Sequence, residues 1–213
     1  MPYRPTPLEW ESEGKTYFNE RPVSTQQTGF CFVGQMQAKL PDAIGGIVWV
    51  TNDDPNMAPF IPLNCCITEV PKCFRKIPGV QDDVTFSWES AFWVQNAVAN
   101  MVYPYYNKMY PDLRRIIDET EKNYHFIQMS IEEQAKVVYN NDPAEAVKIL
   151  TDHSLTCANT MMKYWKELFA FLVVKHNDMV LKEEDKDHNF VRSPYGLGGE
   201  IIRPGYSEDF HDQ

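Results

Sequence analysis

The chain has 213 residues, 43% of them hydrophobic and 13% aromatic, which suits one folded domain or a large piece of one and excludes an intrinsically disordered chain. Thirty acidic against twenty basic residues leave a net charge of -10. That balance argues against nucleic acid or an anionic membrane surface as partner, since both need clustered Lys and Arg.

The elements are read in chain order. Residues 1–26 are proline-rich and extended, with Pro2, Pro5 and Pro7 forbidding a helix. Glu13-Gly14-Lys15 reads as a turn, and Thr16–Asn19 and Val23–Thr25 as short strands. Gly29–Met36 is a strand apolar on both faces, and Ile47–Thr51 a β-branched run. Such strands are expected to be covered on both sides. Met57–Leu63 carries prolines and reads as an edge strand, joined to the preceding one by the turn chemistry of Asn52-Asp53-Asp54-Pro55-Asn56. A loop around Pro41-Asp42-Ala43 connects the first two of these strands. Residues 64–85 are irregular.

Helical spacing then takes over. Ser87 is the expected N-cap of a helix carrying Trp88, Ala91, Phe92, Val98, Met101, Val102 and Tyr105, kinked or ended by Pro104. Pro111 suits the start of a second helix, and Ser130 with Glu133 forms a capping box for a third. Asp142 caps and Pro143 opens a long fourth helix ending near His176, with an inward stripe of Val147, Leu150, Leu155, Ala158, Met162, Trp165, Phe169 and Leu172. Strands followed by helices make an α+β fold with helices packed on an antiparallel sheet. The chain is read as a single unit: a strand-rich segment over 1–86, a helical segment over 87–178 and an irregular tail over 179–213. No run approaches the ~20 apolar residues of a membrane span, and no signal peptide is visible.

Chemistry-bearing residues are sparse. Five cysteines (Cys31, Cys65, Cys66, Cys73 and Cys157) make no disulfide framework, and most of them read as small buried hydrophobes. His125, His153, His176, His188 and His211 fall on helices or the tail, away from the strand cysteines, which weighs against a Cys-His pair. No zinc spacing is present, and Asp53, Asp54 and Asn56 read as a plain turn because the glycine and spacing of a calcium loop are missing. Gly196-Leu197-Gly198-Gly199 follows no strand and is a poor phosphate loop. Glu132-Glu133 and Glu183-Glu184-Asp185 read as solvated surface. No metal and no cofactor is expected. Arg21, Ser24, Gln26, Gln27 and Thr28 stand directly before the first strong strand, where polar groups at the mouth of a sheet bind substrate or finish a strand end. Arg21 and Gln27 are the substrate-binding candidates among them.

Several strings resemble the PepD-type cysteine dipeptidases of the N-terminal-nucleophile hydrolase superfamily. They are Asn19-Glu20-Arg21-Pro22 through Gln26-Gln27-Thr28-Gly29 to Gln35-Met36, Leu40 to Gly46 leading into Trp49, Pro59 to Leu63, Phe86-Ser87-Trp88 with Ser90-Ala91-Phe92-Trp93, and Asn96 to Tyr103. The similarity covers roughly residues 5–175. It implies a four-layer αββα fold. It also implies hydrolysis of dipeptides by a cysteine at the mature N-terminus, whose α-amino group acts as base on the way to a thioester. Cys31, the first cysteine here, lies inside a strand and has no free α-amino group. The expectation is therefore a C-terminal portion whose catalytic nucleophile lies outside this chain and which does not turn over peptide alone. Its partners would be a dipeptide and the N-terminal half of the same enzyme; homo-oligomerisation stays open, as does a cytoplasmic, periplasmic or secreted location. Two other readings are a non-catalytic interaction module derived from that fold and a self-sufficient thiol enzyme using Cys31 or Cys66. Bare apolar sheet surface separates the portion from the module, and a low-pKa thiol would mark the enzyme.

Overall fold

A computed structural model describes residues 8–20, 22–177 and 181–191. The chain divides into two compact units, Met1–Lys166 and Glu167–Gln213.

The first unit opens with a hairpin of β1 (Glu9–Ser12) and β2 (Lys15–Phe18). Glu13 and Gly14, both at positive φ, make the two-residue turn whose twist suits an antiparallel pair. Val23–Thr25 is not a strand. Thr25 and Thr28 close a turn on each other instead, the Thr25 N–H donating to Thr28 Oγ1 (3.1 Å) and the Thr28 N–H to the Thr25 carbonyl (2.9 Å).

The main sheet is antiparallel, in the order β3 (Phe30–Met36), β4 (Gly46–Asn52), β5 (Ile61–Asn64). The expected connection between β3 and β4 contains a one-turn helix, α1 (Asp42–Gly45). Gly46 permits the close approach of Cys65, the residue after β5, because a Cβ there would lie 3.1 Å from Cys65 Sγ. β4 alternates strictly, with Ile47, Trp49 and Thr51 buried on one face. Helices lie on that face: Trp49 packs on His125 with ring centroids 4.2 Å apart.

The other face departs from the sequence reading. In the antiparallel register Phe30, Phe32 and Met36 share a face with Asn52, Val50 and Gly46. They are 63%, 61% and 80% exposed, so β3 is an outer strand with a bare apolar face rather than one covered on both sides. Apolar patterning says which residues prefer to be buried; it does not supply the layer that buries them.

The helical layer has fewer, longer helices than expected. α2 (Ala91–Val102) begins after Ser90 rather than Ser87, whose Oγ accepts the Glu89 N–H (3.1 Å) in the preceding turn. A single 3-10 turn, Tyr103–Tyr105, holds Pro104 and separates α2 from α3 (Tyr106–Tyr139). α3 runs through both Pro111 and the Ser130–Glu133 pair, which were expected to open separate helices. Pro111 lies near the N-terminal end, where it removes only one helical hydrogen bond. Ser130 is solvent-exposed mid-helix, because the buried stripe Tyr124, Gln128, Glu132, Ala135 continues past it at spacings of four and three.

α4 (Pro143–His176) starts as expected, Asp142 Oδ1 accepting the Glu145 N–H (3.0 Å). Its buried side chains up to Lys166 include Leu150, Ala158, Met162 and Trp165 from the expected stripe. Ile44, Ala135, Ala146 and Leu150 form one fully buried cluster, flanked by Leu40, Ile131 and Tyr139.

In the second unit, a Glu184–Phe190 bridge turns the chain back, Lys175 pairs with the mostly buried Glu184, and Phe171 stacks on Phe190 at 5.2 Å. Among the described residues no helix is long and apolar enough to cross a membrane.

Candidate functional site

The most polar part of the interior lies where β4 ends. Asn52 closes the strand, and Asp53 takes a left-handed φ of 61°, a conformation that Asp and Asn tolerate better than other side chains. This backbone reversal sends Asp53 and Asp54 inward, where they are only 2% and 0% exposed. The residues read as a plain surface turn are thus the centre of a buried polar cluster.

Asp54 is met by donors from three directions. Hydroxyls of Ser24 and Tyr103 donate to its two oxygens, and the Asn56 N–H reaches Oδ1 (2.9 Å). Asn56 passes the network on, its Oδ1 accepting from the Tyr110 hydroxyl (2.8 Å). Asp53 has fewer donors: Asn96 Nδ2 on α2 donates to Oδ1 (2.9 Å). All of these donors are neutral. Burial therefore dominates for Asp53 and pushes its carboxyl from 3.8 to about 6, with the Asn96 and backbone hydrogen bonds pulling the other way.

Beside the cluster lies a cleft of about 380 Å³, bounded by Gly29, Phe30 and Asn52 at the sheet end and by the 73–92 segment. Asn52 is held by its backbone, whose N–H donates to Gln95 Oε1 (3.2 Å) on the fully buried Gln95. The Asn52 Oδ1 atom is itself buried and has no hydrogen-bond partner. On the opposite wall, the buried Gln81 donates to the Lys72 carbonyl (3.1 Å) and to the Arg75 carbonyl, and Trp93 Nε1 ties the loop to α2 through the Asp82 carbonyl (2.8 Å). Asp82 accepts the Gly79 and Val84 N–H groups (2.6 and 3.0 Å), which hold its carboxyl down at about 2. The rim carries both signs of charge: Arg75 pairs with Glu69 (3.1 Å) and Lys76 with Asp83.

Of the substrate-binding candidates, Arg21 lies outside the described residues, as does Gly196–Gly199. Gln27 is exposed, its Oε1 accepting from Thr25 Oγ1 (2.9 Å). Ser24, from the same polar string, is the one brought onto Asp54. Sequence reasoning missed Asp53, Asp54, Asn96 and Asn52 as members of one site. The consecutive acids after a buried strand were the available signal.

Glu132 also differs from expectation. It is buried and accepts from Gln37 Nε2 (2.8 Å) and Gln128 Nε2 (3.0 Å), whereas Glu133 stays exposed.

Two of the five cysteines are buried for packing, fewer than expected, while Cys31 and Cys66 are half-buried and Cys65 is exposed. Cys73 and Cys157 are buried, and burial pushes their thiols up to about 11 and about 12; Cys66 is also raised by burial. One cysteine does meet a histidine. Cys157 Sγ lies 3.6 and 3.8 Å from the two ring nitrogens of His153, one helical turn away. Near-equal distances to both nitrogens place the sulfur on neither lone-pair axis. Burial lowers the His153 pKa as it raises that of the thiol, so both groups stay neutral and no thiolate forms. Cys66, one of the two expected nucleophiles of a self-sufficient thiol enzyme, likewise has the wrong shift. Among the described residues no three or more His, Cys, Asp or Glu side chains converge as a metal site.

A helix-covered antiparallel sheet with a polar cleft at its end defines an α+β protein whose site is built from neutral hydrogen-bonding groups and paired charges. The chain belongs to peptidase family C69, whose model matches residues 2–119 and so takes in both the buried cluster and the cleft. It is also similar to a protein of Latilactobacillus sakei named as a probable dipeptidase, with 24% identity over 165 residues, 78% of this chain and 32% of the relative. The chain thus spans about a third of that relative's length.

Proposed function

We propose that this chain is the C-terminal, substrate-lining portion of a cysteine dipeptidase of the N-terminal-nucleophile type, with the attacking cysteine supplied from outside residues 1–213. Membership of family C69 and the dipeptidase name of the relative support the peptidase part. The bare apolar face of β3 carries the rest: Phe30, Phe32 and Met36 present a surface that a self-contained module would cover. Its place on the sheet face opposite the helices is where a second sheet would pack in a sandwich. The thiols favour the same reading, because Cys66, Cys73 and Cys157 are all shifted away from the ionised form a nucleophile needs.

In this reading the nucleophile's α-amino group takes the thiol proton, the thiolate attacks the dipeptide carbonyl, the C–N bond breaks as that proton passes to the departing C-terminal amino acid, and water then cleaves the thioester to free the N-terminal amino acid and restore the thiol. This chain's part is to hold and orient the dipeptide. Two preparations test it. The purified chain alone is expected to leave L-alanyl-L-alanine intact and to bind a hydrophobic dye strongly. A fusion carrying the amino-terminal two-thirds of a family C69 dipeptidase ahead of residue 1 is expected to hydrolyse the dipeptide and to lose that activity when its N-terminal cysteine becomes serine. Hydrolysis by the chain alone, abolished by Cys31→Ala, would overturn the proposal in favour of a self-sufficient thiol enzyme.

A further inference from the structure

The outer face of α3 carries a pattern that neither the cleft nor the buried cluster uses. Opposite the buried stripe through Tyr124 and Gln128, the residues Glu119, Lys122, Phe126, Met129, Glu133 and Lys136 follow one another at alternating spacings of three and four. That is the spacing of a coiled-coil seam, and it puts all six on one ridge of the helix. All six are exposed, Phe126 at 73% and Met129 at 69%. A single exposed apolar side chain is ordinary, but two neighbours at the centre of such a ridge form a patch that association would bury. The ion pairs on the ridge do not tie it up. Glu119 meets Arg115 at 3.7 Å and Lys136 meets Glu133 at 3.3 Å, both within the helix and both solvent-accessible, where exchange for another chain's charge costs little.

The order of the six decides the occupant. Read backwards from Lys136 to Glu119, the ridge has the same spacings with the signs of charge exchanged and the two apolar residues swapped. We propose that this face of α3 is a homodimer interface, covered by α3 of a second copy of this chain in antiparallel register. Phe126 then lies on the partner's Met129, Lys122 faces the partner's Glu133, and Glu119 faces the partner's Lys136; the two-fold axis repeats each contact. Parallel pairing in register would oppose like charges at every charged position of the ridge, so the charges select the antiparallel arrangement. The overlap from Glu119 to Lys136 is about 27 Å long. Its apolar centre supplies affinity, and the charge pairs at both ends set orientation and register. This assignment does not depend on the peptidase reading.

Sedimentation of the full chain tests this. The mass is expected to move toward twice the 24.8 kDa of one chain as the concentration rises from about 1 to about 200 μM, the range of a small interface. Phe126→Glu should hold the chain monomeric throughout; Phe126 is exposed, so the variant keeps the fold. Two charge-reversed chains separate this contact from association through the bare face of β3. One carries Glu119→Lys with Glu133→Lys, the other Lys122→Glu with Lys136→Glu. Each alone should dimerise at least about tenfold more weakly than the parent, and an equal mixture should recover the parent's affinity. In the parent, carbodiimide is expected to join Lys122 to Glu133, which lie about 16 Å apart along one helix and so are linked only between copies. A monomer at every concentration, a dimer that survives Phe126→Glu, or a mixture no tighter than its separate components would each overturn the assignment.

Discussion

Asp53→Asn is the perturbation that most directly probes the buried cluster. Asp53 is nearly inaccessible and receives a side-chain hydrogen bond from the neutral Asn96. Each tenfold change in proton affinity is worth about 1.4 kcal/mol. Raising a carboxyl from 3.8 to about 6 therefore disfavours the folded, ionised state by about 3 kcal/mol. The sign follows from which state binds the proton more tightly. Below pH 3.8 the group is protonated in both states and nothing is lost. Between 3.8 and about 6 the unfolded chain ionises while the folded one holds its proton, so stability falls as pH rises. Above about 6 the loss is complete and flat. Asparagine has no charge to desolvate, still accepts from Asn96 and tolerates the left-handed φ of 61°. Urea unfolding of Asp53→Asn and the parent at several pH values should show a gain of about 2–3 kcal/mol at pH 8 that shrinks steadily toward pH 4. A variant less stable than the parent at pH 8, or a gain independent of pH, would refute burial as the source of the shift.

The adjacent carboxyl should behave oppositely. Asp54 satisfies donors from Ser24, Tyr103 and Asn56, so Asp54→Ala leaves several of them unmet and should cost about 2–4 kcal/mol in the same unfolding assay. Glu132→Ala should cost about 1–3 kcal/mol, since Gln37 and the buried Gln128 each lose an acceptor; a change within about 0.5 kcal/mol would mean Glu132 is in effect surface. Leu150→Ala, in the Ile44–Ala135–Ala146 cluster, should cost about 2–5 kcal/mol by thermal or urea melting. In timed iodoacetamide labelling at pH 8 read by peptide mass, exposed Cys65 should react well before Cys157, whose thiol stands at about 12; prompt labelling of Cys157 in the folded chain would contradict its burial.

Local chemistry was readable wherever one segment decides its own conformation. The Asp142–Pro143 start, the break at Pro104, the turn at Glu13-Gly14 and the hairpin over Asn52–Asn56 all appear as expected, because caps, missing N–H groups and positive φ act within a few residues. Helix starts marked only by a favourable motif were not reliable. Ser130 and Glu133 could cap a helix, but the buried stripe through Gln128 and Glu132 lets α3 continue past them. Ser87 could cap α2, yet its hydroxyl serves the turn before it.

By itself, then, the sequence determined the α+β order, the edge character of β5, the long α4 and the family strings that the C69 match bears out. Tertiary structure alone decided which polar residues matter. Asp53 and Asp54 look like any solvated turn until Ser24, Asn96 and Tyr103, from distant parts of the chain, close around them. Likewise, β3 is apolar on both faces in the sequence, and only the packing reveals that Phe30, Phe32 and Met36, on the face away from the helices, stay bare. The reason is the same in both cases: burial is a property of what surrounds a residue, and those surroundings come from residues far away in the sequence.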